Sequence, residues 1–253
     1  MLDWLGGPSA NMALATVHFA AAAFISQTLE IDDANRRILQ REVKYTPFQV
    51  PGPAATTLGV KDLIVLFLAL TGAFHMLYAL AGRWSAALRF VEYSITASIM
   101  IVIILLLSGE DNGDLILACA ALIASTMFFG ILQDDKLRIR SLGGKAFWLG
   151  WIPFLVAWFF VIKRFQYTVS GSDNVPGFVK TIVWVELALF SSFALVQYYF
   201  IVRRNGPAVG AFEDGVSNNH QLMRYGGAYN VLSVTAKLFL AFMAYFGVKN
   251  MKA

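Results

Sequence analysis

The chain is poor in the residues from which disulfide and metal sites are built. Of its 253 residues, one is a cysteine and three are histidines. The single cysteine, Cys119, excludes a disulfide framework and a cysteine-based zinc site. Three histidines are also too few for the histidine-rich di-iron clusters of membrane desaturases. The sequence therefore offers no obvious metal centre.

Charge is scarce as well, because only 14% of the residues are charged and the net charge is +4. The basic residues lie between apolar segments and at their ends. This placement suits lipid head groups better than nucleic acid. The N-terminal run MLDWLGGPSANMALA lacks the basic start of a secretory signal, so we expect no cleaved signal peptide. We predict a lipid bilayer as the environment and no nucleic-acid partner.

Apolar residues are abundant: 58% of the chain is hydrophobic, and the mean hydropathy is +0.61. This composition lies outside the range of soluble domains. At about 20 residues a span, the chain has room for about seven spans and for no soluble catalytic module. We predict an all-α membrane protein without enzymatic activity, a single seven-helix domain over residues 1–253. The predicted spans are 11–28, 62–80, 88–107, 115–132, 146–162, 177–202 and 231–248.

The longest predicted loop covers residues 30–60 and mixes both signs of charge. Residues 38–50 have enough β-branched and aromatic content for a short hairpin, with Pro47 at an edge or a turn. An irregular loop fits the same residues. The basic residues divide almost evenly between the two sides of the membrane, so they do not determine the orientation of the chain in it. The acidic loop 110–114 favours an external position for that side and hence a cytoplasmic N-terminus.

Lys237 is the central feature of the last predicted span, with Ser233 one turn before it. A lysine at the middle of a membrane helix costs about 2.5–3.5 kcal/mol. Such a residue either pairs with a carboxylate, as in a transporter core, or becomes covalently linked. A lysine amine condenses with an aldehyde to form a Schiff base. The residues alone leave both interpretations open.

Glu92 is the candidate partner of Lys237. If its helix starts at Leu88, Glu92 is interfacial; if the helix starts nearer Trp84, Glu92 lies deep enough to face Lys237. Helical spacing places Thr96 and then Met100 on the same face as Glu92. We therefore expect the carboxylate of Glu92, the hydroxyl of Ser233 and the amine of Lys237 to converge in one small cavity.

Three more ionisable residues lie inside the spans and are functional candidates on that ground. Successive spans alternate in direction, so His18 and His75 fall in the same membrane half as Glu92. They either share a polar cavity with it or are hydrogen-bonded structural histidines. Glu186 falls in the opposite half. A buried carboxylic acid, or a carboxylate bonded near the helix end, explains Glu186 without any function.

A lysine centred in the seventh helix and a carboxylate on the third resemble a retinal-binding rhodopsin, and specifically a heliorhodopsin. The resemblance depends on RFVEYSITASIMIVII in the third helix, VPGFV and SSFALVQYY in the sixth, and VLSVTAK in the seventh. Two shorter pieces, AFH in the second helix and FFGILQ in the fourth, agree with it.

The resemblance implies that Lys237 binds all-trans retinal as a protonated Schiff base and that Glu92 is the counterion. His18 and His75 match the family's cytoplasmic cavity histidines. The positions that match its retinal pocket are Met100, Met127, Trp158, Phe190 and Gln197. The resemblance also implies a cytoplasmic N-terminus and a homodimer with the hairpin beside the partner. Ile123 departs from the family pattern, which has a polar asparagine near the Schiff-base cavity.

The resemblance also bears on activity. Ser233 and Ile103 stand where proton-pumping rhodopsins have a second counterion carboxylate and a proton-donor carboxylate. We therefore predict a slow light sensor in the cell membrane, with little or no ion pumping, that signals through its conformation or an unknown partner. The alternatives are a light-driven or light-gated proton transporter that uses Glu186, and a retinal-free transporter that uses Lys237 and Glu92 as an ion pair.

Overall fold

Long helices dominate the structure. The computed structural model describes residues 2–45, 55–81, 86–134, 145–171, 176–199 and 219–251. Within these ranges there are seven long helices, two short ones and one two-stranded sheet. The helices are α1 (Leu2–Leu5), α2 (Pro8–Thr28), α3 (Arg36–Leu39), α4 (Val60–Ala81), α5 (Ala86–Leu107), α6 (Gly113–Asp134), α7 (Lys145–Gly171), α8 (Gly177–Gln197) and α9 (Asn219–Lys249). The strands are β1 (Gln40–Lys44) and β2 (Ala55–Gly59).

The described residues contain seven helices that are long and apolar enough to cross a membrane. The prediction of an integral membrane protein with seven helices is therefore confirmed. Large apolar side chains such as Leu80, Leu117 and Trp148 remain exposed on the outside of the bundle. A surface of this kind suits lipid better than water.

The largest differences from the predicted spans lie at the end of α7 and at the start of α9. Helix α7 was expected to end at residue 162, but it continues to Gly171. In this extension Arg164 donates to the Gly109 carbonyl and Thr168 donates to the Ser108 carbonyl. Helix α9 was expected to begin at residue 231, but it begins at Asn219. Its first turns hold polar residues that are buried, Tyr225 and Asn230 among them. Residues 200–202 of the predicted sixth span lie outside the described residues.

The predicted hairpin is present, with β1 and β2 antiparallel and Gln40 paired with Gly59. Its second strand lies at 55–59 and not within 38–50, while Pro47 falls outside the described residues. The hairpin contacts the turn between α5 and α6, where the Lys44 amide donates to the Asp111 carbonyl over 2.8 Å.

The turn after α5 connects the hairpin side of the bundle to α7. Gly109 has a φ of 92°, which glycine adopts without the steric cost of a side chain. Arg164 donates to the Gly109 carbonyl and lies 3.7 Å from a Glu110 carboxylate oxygen. Burial, and secondly the charge of Arg164, lower the pKa of Arg41 on the facing strand β1 below its usual value. This end of the molecule is therefore a compact group of charges.

Candidate functional site

Lys237 and Glu92 form a direct ion pair inside the bundle. Lys237 Nζ lies 2.6 Å from Glu92 Oε1, and the two side chains are 3% and 0% exposed. Helix α5 is already formed at Ala86, so Glu92 is well inside the helix and faces α9. Glu92 thus lies inside the bundle and contacts Lys237, which is the geometry of the deep alternative.

The second oxygen of the carboxylate also has a donor. The Tyr78 hydroxyl of α4 donates to Glu92 Oε2 over 2.5 Å, and both side chains are buried. Sequence reasoning did not select Tyr78. The available signal was its position three residues after His75, which places both side chains on one face of α4.

Arg89 is a further buried charge at this site. It lies at the start of the predicted third span, and its side chain is only 1% exposed. Its guanidinium lies over the Tyr78 ring, 4.6 Å from the centroid, and donates to Asn230 Oδ1 over 2.6 Å. The amide of Asn230 in turn donates to the Leu5 carbonyl over 2.6 Å. The polar network thus extends from the ion pair to the N-terminal helix α1.

The two histidines stack on each other with ring centroids 5.3 Å apart. His18 Nδ1 donates to the Leu14 carbonyl over 2.7 Å, and His75 Nδ1 donates to Asn11 Oδ1 over 2.9 Å. The amide of Asn11 donates to the Gly7 carbonyl, which assigns its oxygen as the acceptor. The His75 ring meets the edge of Tyr78 at 5.6 Å. The histidines therefore adjoin the ion pair through Tyr78.

A cavity lies on the other side of Lys237. Its wall is largely apolar and aromatic, and the Lys237 amine reaches it. Seven residues that the sequence analysis selected line it: Thr96, Met100, Met127, Phe190, Gln197, Ser233 and Lys237. Trp158 lies behind that wall and packs edge-on against Phe190, with centroids 5.7 Å apart.

These residues fit an aldehyde on an apolar polyene, which is the chemistry of retinal. The only described basic side chain in the wall is Lys237, and it supplies the amine that an aldehyde needs. The aromatic rings of Trp151, Phe154 and Phe193 offer flat apolar surfaces to a conjugated chain.

The remaining selected residues lie apart from this cavity. Glu186 is fully buried, and neither carboxylate oxygen has a hydrogen-bond partner among the described residues. It lies one turn before Phe190, which does line the cavity. Ile123 and Ile103 are fully buried in the apolar core. The position of Ile123 is thus part of the hydrophobic packing in this chain.

A bundle of seven membrane helices, with an apolar cavity inside it and a lysine at the cavity wall that pairs with a buried carboxylate, defines a rhodopsin-type membrane protein. The Heliorhodopsin family model matches residues 9–249. The chain therefore belongs to the heliorhodopsin family, as its motifs predicted. The family implies a retinal chromophore and a lipid bilayer.

Comparison with solved structures agrees on the fold. The crystal structure of Exiguobacterium sibiricum rhodopsin matches with a TM-score of 0.58 and 17% identity, covering 96% of this chain and 97% of that chain. At this identity the likeness concerns the fold alone. No curated protein matches the sequence.

Proposed function

We propose that this protein is a light sensor in which Lys237 binds all-trans retinal as a protonated Schiff base and Glu92 is the counterion. The observation that carries the proposal is the contact of 2.6 Å between Lys237 Nζ and Glu92 Oε1 at the cavity. A cation in this apolar interior needs a nearby negative charge. At about 4 Å and an effective dielectric constant near 20, that charge contributes about 4 kcal/mol.

The cavity supports the same assignment. Met100, Met127, Phe190 and Gln197 would surround the chromophore, with Trp158 supporting Phe190 from behind. Retinal supplies light absorption and a photoisomerisable double bond when bound. The protein residues fix its position, exclude water and hold the charge of the linkage.

Sensing is favoured over pumping by what surrounds the ion pair. Ser233 lines the cavity one turn before Lys237, where a second carboxylate would assist proton release. Ile103 is a fully buried apolar residue on the helix of Glu92. We infer a slow photocycle with little or no ion pumping and no enzymatic activity. The signal would pass to a partner through a change of conformation.

The proposal also includes the location, the orientation and the oligomeric state of the protein. We infer a homodimer in the cell membrane with a cytoplasmic N-terminus. The support is the acidic turn at Glu110 and Asp111, together with the hairpin that projects beside it.

Adding all-trans retinal to the purified apoprotein tests the proposal. We expect a visible absorption band that forms in the wild type and is missing from Lys237→Ala. Lys249→Ala, a matched change at the end of the same helix, should retain the band. A wild-type protein that stays colourless would end the assignment and leave a transporter with an ion-paired lysine.

A light-driven or light-gated proton transporter is the second candidate. It is favoured by Glu186, a buried carboxyl group without a hydrogen-bond partner among the described residues. Photocurrents measured under voltage clamp separate the two functions. Sizeable wild-type currents that Glu186→Gln abolishes would establish transport, whereas the sensor predicts no sizeable current.

A further inference from the structure

Two donors on different helices hold the two oxygens of Glu92. Lys237 Nζ of α9 lies 2.6 Å from Oε1, and Tyr78 Oη of α4 lies 2.5 Å from Oε2. We propose that Tyr78 is a positioning residue for the counterion, which it keeps ionised and oriented toward the Lys237 nitrogen. This inference rests on the proposed function, since it assigns a role within the same site.

The need for a second donor follows from the chemistry of the lysine. A free ammonium has three N–H groups, but the nitrogen of a protonated Schiff base has only one. Lys237 can then serve one carboxylate oxygen and leaves the other to the protein. The Tyr78 hydroxyl meets that second oxygen at the short distance typical of an O–H donor and an ionised acceptor.

The Tyr78 ring is fixed by contacts on more than one side. The Arg89 guanidinium lies over its face at 4.6 Å, and the His75 ring lies perpendicular to it at 5.6 Å. Arg89 is in turn held by Asn230, which lies two turns before Lys237 on α9. The position of the hydroxyl is therefore coupled to the helix that carries the lysine.

The effect of Tyr78 depends on the charge of the carboxylate. Moving a proton from the Lys237 nitrogen to Glu92 breaks an N–H bond and forms an O–H bond, leaving both groups neutral. The Tyr78 hydrogen bond then has a neutral acceptor and is weaker. Tyr78 therefore favours the ionised form of Glu92 and opposes the proton transfer from Lys237 as long as its hydrogen bond to the carboxylate is in place.

Other groups around Glu92 also act on its charge. The titratable and charged side chains near it are His18 from α2, His75 and Tyr78 from α4, Arg89 and Tyr93 from α5, and Lys237 from α9. Of these, Tyr78 and Lys237 hydrogen-bond to the carboxylate in the described structure. Removing one hydroxyl thus tests Tyr78 without removing a charge.

The test is an acid titration of the visible band in the retinal-loaded protein, wild type against Tyr78→Phe. We expect the midpoint of the acid-induced spectral change to rise by about one pH unit or more, a tenfold change in proton concentration. In the apoprotein, the infrared carboxylate band that Glu92→Gln removes should show a midpoint that rises in the same direction.

Tyr225→Phe is the matched control, because it removes a buried hydroxyl that contacts Tyr229 and not Glu92. It should leave both midpoints unchanged. An unchanged midpoint in Tyr78→Phe, with its visible band intact, would overturn the proposal. A colourless wild type would instead overturn the proposed function, so the two failures are distinguishable.

A second measurement applies if Tyr78→Phe does not fold. Fluorotyrosine placed at position 78 keeps the ring and its contacts but gives a more acidic hydroxyl, which is a stronger donor. The midpoint should then fall below that of the wild type. A midpoint equal to the wild-type value would contradict the role of Tyr78.

Discussion

Lys237 and Glu92 are separated by 145 residues in the chain, yet their charged atoms lie 2.6 Å apart in the interior of the bundle. The contact joins α9 to α5 and lies beside the largely apolar cavity. A buried pair of this kind gains from mutual attraction but loses hydration on both sides. The position of the pair beside a largely apolar cavity therefore says more about function than about stability.

Neutralising the counterion should change the colour of the retinal-loaded protein. In Glu92→Gln the positive charge on the linkage loses its nearby carboxylate, so the charge spreads along the polyene and absorption moves to longer wavelength. Absorption spectroscopy of the reconstituted variant measures the shift. Glu42→Gln, on the exposed face of β1, should keep the wild-type spectrum. A Glu92→Gln spectrum identical to the wild type would show that another group is the counterion.

The sequence was sufficient for the fold and for the main pair of the site. Long apolar runs predict helices because a membrane requires internally satisfied backbone groups. Lys237 and Glu92 stood out because an isolated charge in such a helix is costly. The prediction of the helices and the selection of Lys237 and Glu92 each require only the local sequence of a single helix.

The sequence analysis did not select Tyr78, Arg89 and Asn230, because their roles depend on contacts with other helices. Tyr78 and Arg89 lie near helix ends, and Asn230 directly precedes the predicted start of the seventh span at residue 231. At such positions a polar residue is equally compatible with contact to water. Arg89, for example, is buried against Asn230 from another helix. Contacts between distant segments decide these cases, and a single sequence contains no direct signal for them.

The Asn230 side chain hydrogen-bonds to Arg89, to the Leu5 carbonyl and to Asn11. Its removal should therefore destabilise the protein. Asn230→Ala would leave Arg89 and the Leu5 carbonyl without their bonds to this side chain. A buried polar group left unsatisfied costs about 1–3 kcal/mol. Thermal unfolding in detergent should show a clearly lower midpoint for Asn230→Ala. Asn250→Ala, in the exposed turn directly after α9, should unfold like the wild type, and equal midpoints for both variants would contradict the network.

Gly130 shapes the cavity wall on α6. A Cβ atom at this position would lie 2.7 Å from Phe90 Cδ1, and both residues line the cavity. Gly130→Ala should displace the Phe90 ring, alter the space for the chromophore and shift the visible band or slow its formation. Gly171→Ala is the control, because a Cβ there meets no described residue within 4 Å. Identical spectra and binding rates in the two variants would contradict this role of Gly130.

Arg164 should stabilise the end of the bundle that faces the hairpin. It donates to the Gly109 carbonyl and pairs with Glu110, while Glu110 accepts the backbone amides of Asp111 and Asn112. Because Glu110 is buried, Arg164→Gln leaves its charge without this cation. The expected loss is about 1–3 kcal/mol, the cost of a buried polar group without its partner.

Lys163→Gln removes the same charge from the adjacent exposed residue. Exposed charges contribute about 0–1 kcal/mol, so its thermal unfolding should stay close to that of the wild type. The comparison separates the specific contacts of Arg164 from the general effect of a basic residue at the membrane surface. Equal losses in the two variants would show that net charge, and not the contact with the turn after α5, stabilises this end of the protein.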